Sequence, residues 1–163
     1  MYPFLRTLHL LMTDDGGTVL ASRVETTYCV LTHKVMIENE QTQELVRLAK
    51  NEALVAGDFP AAMRAITESA SRALNVERVS IWFFDAARSL IRCADLFERS
   101  KNVHSNGVEL LKRDFPDYFL ALESERTIDA NDAHADQRTR EFSECYLRPC
   151  GIGAMLDAPI RIG

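Results

Sequence analysis

The feature that most constrains this fold is the run Arg78–Asp85, read as RVSIWFFD, which is the densest apolar stretch of the chain. It is short, rich in β-branched and aromatic residues, and followed by turn-like residues, which predicts a strand buried on both faces. Side chains alternate along a strand and give it two faces: Val79, Ile81 and Phe83 on one, Ser80, Trp82 and Phe84 on the other. The first face can take a helical layer, whereas the second offers aromatic material for a core or for a pocket wall.

The composition excludes several classes of protein. With 47% hydrophobic and 26% charged residues in 163, the chain is typical of a soluble globular protein. A formal net charge of −5 argues against a nucleic-acid partner, which needs clustered Lys and Arg. No stretch reaches the roughly 18 apolar residues of a membrane span. Four cysteines lack a CxxC pair, which predicts reduced thiols in a cytoplasmic protein: Cys29, Cys93, Cys145 and Cys150.

The N-terminal part divides into an extension and two helices. Residues 1–37 form an N-terminal extension with a predicted turn at Asp14–Gly17. Three interpretations of this extension stay open: a remnant of a preceding module, a poorly ordered leader, or translated sequence upstream of the true start. Residues 38–56 are rich in helix formers and end at Gly57, which predicts a linker or signalling helix that pairs with another helix. The next helix is predicted to begin at Asp58 and to end at Asn75.

The remaining segments predict an antiparallel α+β domain. Leu90–Glu98 is expected to form a hairpin with 78–85, with Ile91, Cys93 and Phe97 on one face and Leu90, Ala94 and Leu96 on the other. Asp114-Phe115-Pro116 predicts a helix start with Asp114 as its acidic cap. The last segments are a short strand at Arg126–Ala130, a loop, a helix at Thr139–Leu147 stopped by Pro149 and Gly151, and a long alternating strand from Ile152 to Ile162.

This order of elements resembles that of a GAF domain. Three stretches carry the resemblance: GDFPAAMRAITESASRALNVERVSIWFFD (57–85), DFPDYFLALESERTIDANDA (114–133) and YLRPCGIGAMLDAPIRIG (146–163). GAF domains are small-molecule sensors in signalling proteins such as bacterial histidine kinases, diguanylate cyclases and phytochromes. The resemblance implies a central antiparallel sheet with a helical layer on one face and a loop-covered pocket on the other. Family members continue with another strand and a helix, so it also implies that 57–163 is a GAF domain lacking those last elements.

The resemblance to phytochrome-type members implies a set of residues on the ligand-binding face. An apolar cleft with a few convergent polar groups is what a small ligand needs. The alternative is that these side chains only fill the core. The set is Ser80, Trp82, Asp114, Phe115, Phe142, Tyr146, Met155 and Asp157.

A bilin cofactor is not expected. In the phytochromes that bind one through a Cys-His pair, the pair precedes a Tyr-Leu-Arg run by four and three positions. Here Tyr146 begins that run, and Phe142 and Ser143 occupy those positions, so both the thiol and the imidazole are missing. The cofactor, if the domain has one, is left unidentified.

Catalysis by this chain is not expected either. GAF-fold free methionine sulfoxide reductases use thiols, and Cys93, Cys145 and Cys150 are the candidates, but Cys93 occupies an inward strand position where a structural role is more common. Asp132, His134 and Asp136 have the residue types of a metal site, yet such a loop is usually solvated. The sequence has no phosphate-binding loop or dinucleotide fingerprint.

The resemblance therefore implies a cytoplasmic sensor domain of a bacterial signalling protein, such as a two-component system, that works as a homodimer. A small molecule in the pocket would bias the packing of flanking helices, among them 38–56, and any catalytic output would belong to another domain. Two alternatives stay open: a ligand-free dimerisation or structural module, and a thiol-based reductase.

Overall fold

The computed structural model describes residues 6–13 and 41–160, arranged as helices around one antiparallel sheet. In chain order the elements are β1 (Arg6–Thr13), α1 (residues 41–49), α2 (Glu52–Ala56), α3 (Phe59–Leu74), β2 (Arg78–Phe84), β3 (Leu90–Glu98), β4 (Val103–Ser105), β5 (Glu109–Leu111), α4 (Pro116–Ser124), β6 (Ile128–Ala130), a 3₁₀ turn (Arg140–Phe142), a π-helical turn (Ser143–Leu147), α5 (Arg148–Cys150) and β7 (Ile152–Ile160). The strands lie in the order β4-β3-β2-β1-β7-β6, with β5 also paired to β3. This architecture confirms the α+β fold expected from the sequence.

Some expectations fall outside the described residues. They are the turn at Asp14–Gly17, the Cys29 thiol and the last two positions of the final strand. Within the described residues, no helix is long and apolar enough to cross a membrane.

Helix α3 has the ends that its sequence predicts. The Asp58 carboxylate accepts a hydrogen bond from the backbone N–H of Ala61 at 3.2 Å, and Asn75 ends the helix with a φ of 52°. The helix packs across β2 and β3 and so defines the helix face of the sheet. We call the opposite side, under α4 and residues 140–150, the loop face.

The segment 38–56, expected as one helix, is interrupted. Asn51 is extended, and its side-chain oxygen accepts the N–H of Ala53 at 3.0 Å, so it caps a separate helix α2. Gly57 ends α2 in the left-handed conformation, with a φ of 72°. A capping side chain in the middle of the segment therefore overrides the helix propensity of its neighbours.

Irregularities in two strands change which side chains share a face. In the β2–β3 hairpin, Ile81 lies opposite Asp95 and Trp82 opposite Cys93, so Ala94 is an extra residue in a β-bulge. Beyond the bulge, the alternation of β3 side chains between the two faces of the sheet is shifted by one position. The expectation that Phe97 shares a face with Ile91 and Cys93 is wrong: Phe97 pairs with Val79 on the helix face, and Leu96 joins Ser80 on the loop face.

A second irregularity, at the start of β7, has the same effect. Ala154 and Ile152 lie opposite consecutive β1 residues, so Gly153 is extra. Ile152 consequently joins the main core on the loop face, although simple alternation would place it with Leu156.

The main core lies between the loop face and the elements that cover it. Its members are aromatic and aliphatic side chains of β2, β3, α4, β6, β7 and the 133–147 region: Trp82, Phe84, Ile91, Cys93, Tyr118, Phe119, Ala121, Leu122, Ile128, Ala130, Ala133, Phe142, Leu147, Ile152 and Met155. This core positions the walls of the site described next.

Candidate functional site

A cavity of about 320 Å³ opens on the loop face, between the β2–β3 hairpin, α4 and the helical segment 140–150. Its walls are mainly aromatic and aliphatic, with hydroxyl and thiol groups among them. The lining residues are Ser80, Trp82, Cys93, Leu96, Ser105, Val108, Glu109, Leu110, Phe115, Phe142, Cys145, Tyr146 and Met155.

Strand β2 supplies the back wall because its even-numbered residues face the loops. The Trp82 indole N–H donates a hydrogen bond to the Ser80 hydroxyl oxygen at 2.8 Å, and both residues are buried. The indole N–H therefore has its hydrogen-bond partner within the wall itself. What this wall presents to a ligand is a large flat ring with one hydroxyl beside it.

The covering wall is built on an unexpected helix cap. Helix α4 begins at Pro116 with Phe115 as its N-cap and no side-chain capping bond of its own, so the expectation that Asp114 caps it is wrong. The Glu141 carboxylate instead accepts the N–H groups of Asp117 and Tyr118, at 3.3 and 3.1 Å. A carboxylate from the 140–142 turn thus satisfies two N–H groups that the first turn of a helix leaves open.

This cap fastens two elements whose aromatic rings stack. Phe115 and Phe142 have ring centroids 4.5 Å apart with planes 25° apart, and Tyr118 meets the Phe142 ring edge-on at 4.7 Å. Stacked and edge-on pairs are favoured geometries for aromatic side chains. These ring contacts and the Glu141 cap hold the covering wall together.

The segment 140–150 passes through three kinds of helical turn. The 3₁₀ turn leads into the π-helical turn Ser143–Leu147 and then into α5, which ends at Gly151 with a φ of 64°. The prediction that Pro149 and Gly151 stop the helix is confirmed for Gly151, whereas Pro149 lies within α5. The π-helical turn brings Cys145 and Tyr146 to the cavity.

Tyr146 also contacts a partly buried ion pair. The Arg78 guanidinium lies 5.8 Å from the centre of the Tyr146 ring and forms an ion pair with Glu98 at 3.0 Å. Burial raises the pKa of Tyr146 to about 12, although the nearby guanidinium lowers it. The phenol is therefore neutral at physiological pH, and the charge of Arg78 is balanced by Glu98.

The cavity carries little net charge. Glu109 is the one carboxylate among the described residues that line it, and it forms an ion pair with Arg92 on the paired strand. None of those described residues is a Lys or an Arg. An anionic ligand would find no cation among them to pair with, and burying an unpaired charge is costly.

The structure brings six of the eight expected residues to the cavity and leaves out the two aspartates. Asp114 is largely exposed, with its carboxylate 3.5 Å from Arg113. Asp157 is fully buried beside the cavity, where its carboxyl accepts a hydrogen bond from the Tyr118 hydroxyl at 3.1 Å. Burial raises the pKa of Asp157 to about 8, although this hydrogen bond lowers it, so the group is mostly protonated at neutral pH.

Sequence reasoning missed seven of the thirteen described lining residues. Two of them lie on β3: Cys93 faces the loops opposite Trp82, and the bulge at Ala94, which has no local sequence signal, brings Leu96 to the same face. The others come from the loop and short strands after β3 and from the π-helical turn. They are Ser105, Val108, Glu109, Leu110 and Cys145.

The other candidate groups have separate partners. Burial, together with the nearby Asp95, raises the pKa of the Cys93 thiol to about 12, so it stays protonated. The carboxylate of Asp132 accepts the N–H of His134, whose ring contacts Ser143, while Asp136 pairs with Arg138. Across residues 41–160, no three His, Cys, Asp or Glu side chains are placed to hold a metal ion.

A second cavity, of about 290 Å³, lies on the helix face. The described side chains that line it are all apolar, so none of them offers a polar group to orient a ligand, and the cavity on the loop face is the better candidate site. The lining is Ala53, Leu54, Gly57, Phe59, Ala62, Met63, Ile66, Ile81, Phe83 and Ile160.

Comparison with known proteins gives one match. The family model of the GAF domain matches residues 58–163, about two thirds of the chain. Neither the curated proteins nor the solved structures contain a significant match to this chain.

Proposed function

This chain belongs to the GAF domain family, and from that premise we propose that it is a sensor whose loop-face cavity binds an uncharged, planar aromatic small molecule. GAF domains are in general regulatory modules, and the proposal adds a site and a ligand class to that role. The observation that carries it is the cavity itself: flat aromatic walls with a few hydroxyl groups and, among the described lining residues, no charge without a partner. Flat rings favour a flat ligand by stacking, and hydroxyl groups fix its orientation.

The route from cavity to output runs through α3. Strand β3 supplies Cys93 and Leu96 to the cavity and, on its other face, Asp95, which accepts a hydrogen bond from Thr67 of α3 at 2.6 Å. Further along α3, Arg72 pairs with Glu44 of α1 at 3.2 Å. A ligand that binds one arrangement of β3 better than another would shift α1 and the helices attached to it, whereas equal affinity for both would shift nothing.

The experiment for this proposal is native mass spectrometry of the full chain purified without denaturation, since it reports bound mass and oligomeric state together. Wild-type protein is expected to carry a discrete additional mass or to acquire one from a panel of uncharged aromatics such as indole and quinoline. Cys145→Phe fills the cavity from its more exposed side and is expected to abolish that mass.

Leu120→Phe is the matched control, because it adds similar bulk to an exposed position of α4 away from the cavity. It is expected to keep the bound mass. Equal binding by wild type and Cys145→Phe would place the ligand elsewhere. If wild-type protein binds no member of the panel, uncharged planar aromatics are excluded as its ligand class.

One observation favours a second candidate function, a ligand-free dimerisation module. Several large apolar side chains are exposed on α1, α2 and the start of α3: Leu45, Val46, Leu54, Val55 and Phe59. A homodimer that buries these side chains is compatible with the sensor function as well. In native mass spectrometry, a dimer without bound mass would favour the dimerisation module, whereas a dimer with bound mass would favour the sensor.

A thiol-based reductase has less support. Cys93 is buried with a protonated thiol, and the Cys145 thiol donates to the carbonyls of Glu141 and Phe142 at 3.8 and 3.7 Å. Reactive cysteines instead need a stabilised thiolate. We propose that this chain has no catalysis of its own and, from its free thiols at Cys93, Cys145 and Cys150, that it works in the reducing cytoplasm.

A further inference from the structure

The Ser80 hydroxyl on the back wall of the loop-face cavity has a proton that no described residue accepts. A serine hydroxyl offers one O–H donor and two acceptor lone pairs, whereas an indole N–H can only donate. The Trp82 indole N–H takes one of those lone pairs at 2.8 Å, and among the described residues it is the one hydrogen-bond partner of the Ser80 side chain. The O–H donor of Ser80 is therefore left over, on a residue that lines the cavity.

Burial separates Ser80 from the other described hydroxyl groups of the cavity. Ser80 is 2% exposed, whereas Ser105 is exposed and Tyr146 is half-buried. Bulk water can accept the proton of an exposed hydroxyl, but a buried donor without an acceptor costs free energy. A water molecule inside the cavity can serve Ser80, and a ligand that displaces this water has to reproduce its hydrogen bond or lose affinity.

The other polar groups of the described lining are weaker donors or are already engaged. The Cys145 thiol donates to two backbone carbonyls, at 3.8 and 3.7 Å. Glu109 is paired with Arg92. The Cys93 thiol is buried, but a thiol is only a weak donor. Ser80 is therefore the strongest buried donor left unengaged among the described lining residues.

We propose that Ser80 determines which aromatic molecules this cavity accepts, by donating its hydroxyl proton to an acceptor atom on the edge of the ligand ring. This role rests on the ligand class proposed above and narrows it to aromatics with a ring nitrogen or a carbonyl oxygen. The bond from Trp82 supports the role, because a hydroxyl that accepts one hydrogen bond becomes a better donor for another. A ligand without an acceptor would leave the Ser80 proton unpaired beside an apolar ring.

Two compounds of nearly equal size and shape isolate this hydrogen bond. Quinoline carries a ring nitrogen with a free lone pair, whereas naphthalene has a C–H group at the same place. The difference in hydrophobicity between the two compounds is the same for every variant of the protein. A change in the ratio of their dissociation constants between variants therefore reports the contribution of one side chain.

A titration of the full chain followed by NMR measures this ratio. Trp82 is the single tryptophan of the chain, so its indole N–H gives one signal in a proton–nitrogen correlation spectrum, from the wall of the cavity. Ser80→Ala is expected to lower the preference for quinoline over naphthalene by about tenfold, the factor that one hydrogen bond supplies. Ser105→Ala is the matched control, because it removes an exposed hydroxyl from the same cavity, and it is expected to keep the wild-type ratio.

An unchanged ratio in Ser80→Ala, or an equal fall in Ser105→Ala, would overturn the role of Ser80. Should Ser80→Ala fail to fold because the indole loses its acceptor, Ser80→Cys decides. The thiol keeps nearly the same size and a weak acceptor for the indole but is a poor donor, so the ratio is expected to fall by about fivefold. A wild-type ratio in Ser80→Cys would refute the role as well.

The outcomes separate the role of Ser80 from the proposed function. If wild-type protein binds both compounds at a ratio that does not depend on Ser80, the aromatic ligand class stands and the role of Ser80 alone is wrong. If wild-type protein binds neither compound, the ligand class is wrong and the role of Ser80 falls with it.

Discussion

Two aspartates, Asp95 and Asp157, are buried on opposite faces of the same sheet and have different surroundings. On the helix face, Asp95 accepts a hydrogen bond from the Thr67 hydroxyl and lies 3.0 Å from Nδ1 of His104, whose other ring nitrogen faces Glu68. On the loop face, Asp157 meets a phenol, Tyr118, within an aromatic core. The first carboxylate belongs to a polar network that joins α3, β3 and β4. The second lies where burial favours its neutral form.

Both carboxyl groups are buried, so the face of the sheet on which each lies, rather than its depth in the protein, decides its role here. The helix face uses polar groups to join elements, whereas the loop face holds Asp157 neutral beside the cavity and pairs Glu109 and Arg78 with opposite charges. That division agrees with a fixed scaffold on one side and a site for an uncharged ligand on the other. It can be tested from both sides.

The largest effect is expected from Asp157→Asn. The folded state holds a proton between about pH 4, the ordinary pKa of an aspartate, and pH 8, whereas the unfolded state has released it. The free energy of unfolding therefore falls as the pH rises through that window. The amide of Asn does not titrate, so its advantage over Asp157 should grow by up to ~1.4 kcal/mol per pH unit.

Urea unfolding at pH 5, 6, 7 and 8 measures this divergence. Asp114→Asn, at a largely exposed position, is the control and should follow the wild-type curve throughout. If the Asp157→Asn curve runs parallel to wild type, the carboxyl group is not neutral in the folded protein, and the contrast between the two faces disappears.

The next largest effect is expected from Asp95→Ala. The change removes the hydrogen-bond acceptor shared by Thr67 and His104, and hydrogen bonds to charged groups contribute about 1.5–3 kcal/mol each. We expect the free energy of unfolding to fall by about 2–4 kcal/mol. Asp129→Ala removes an exposed carboxylate of β6 and should change it by no more than ~0.5 kcal/mol. Similar values for the two variants would show that the network does not join the elements.

The smallest effect is expected from Thr67→Val. Valine keeps the shape of the side chain but loses the hydroxyl that donates to Asp95, which should cost about 1 kcal/mol in chemical denaturation. Thr67→Ser keeps the hydroxyl and loses only a methyl group. Thr67→Ser is therefore expected to be more stable than Thr67→Val, and a valine variant as stable as wild type would exclude Thr67 from the network.

Much of the fold could be predicted from local signals. The apolar run at 78–84, the Asp58 cap and the Asn75 terminator are each encoded within a few residues, and the structure confirms all of them. Six of the eight expected cavity residues line the cavity for the same reason, since strand alternation and the order of elements place them there.

The rest depends on contacts between distant residues. Glu141 caps α4 across 23 and 24 positions of sequence, and nothing local distinguishes it from the closer Asp114. The bulge at Ala94 follows from how two strands fit together, so Phe97 and Leu96 exchange faces without any sequence signal. Strand β1 could not be placed because its partners lie at the middle and the far end of the chain.

That pairing also fixes when the domain can be completed during its synthesis. Arg6 lies opposite Ile160, so a strand made early must wait for one made almost a whole chain later. Until β7 leaves the ribosome, β1 has only one of its two neighbours, and the hairpin and helices that form first cannot close the sheet. Contacts so distant in sequence are slow to form. The apolar strand β1 therefore lacks one of its two partners until translation has passed residue 160. During this interval the nascent chain is most exposed to aggregation with other chains.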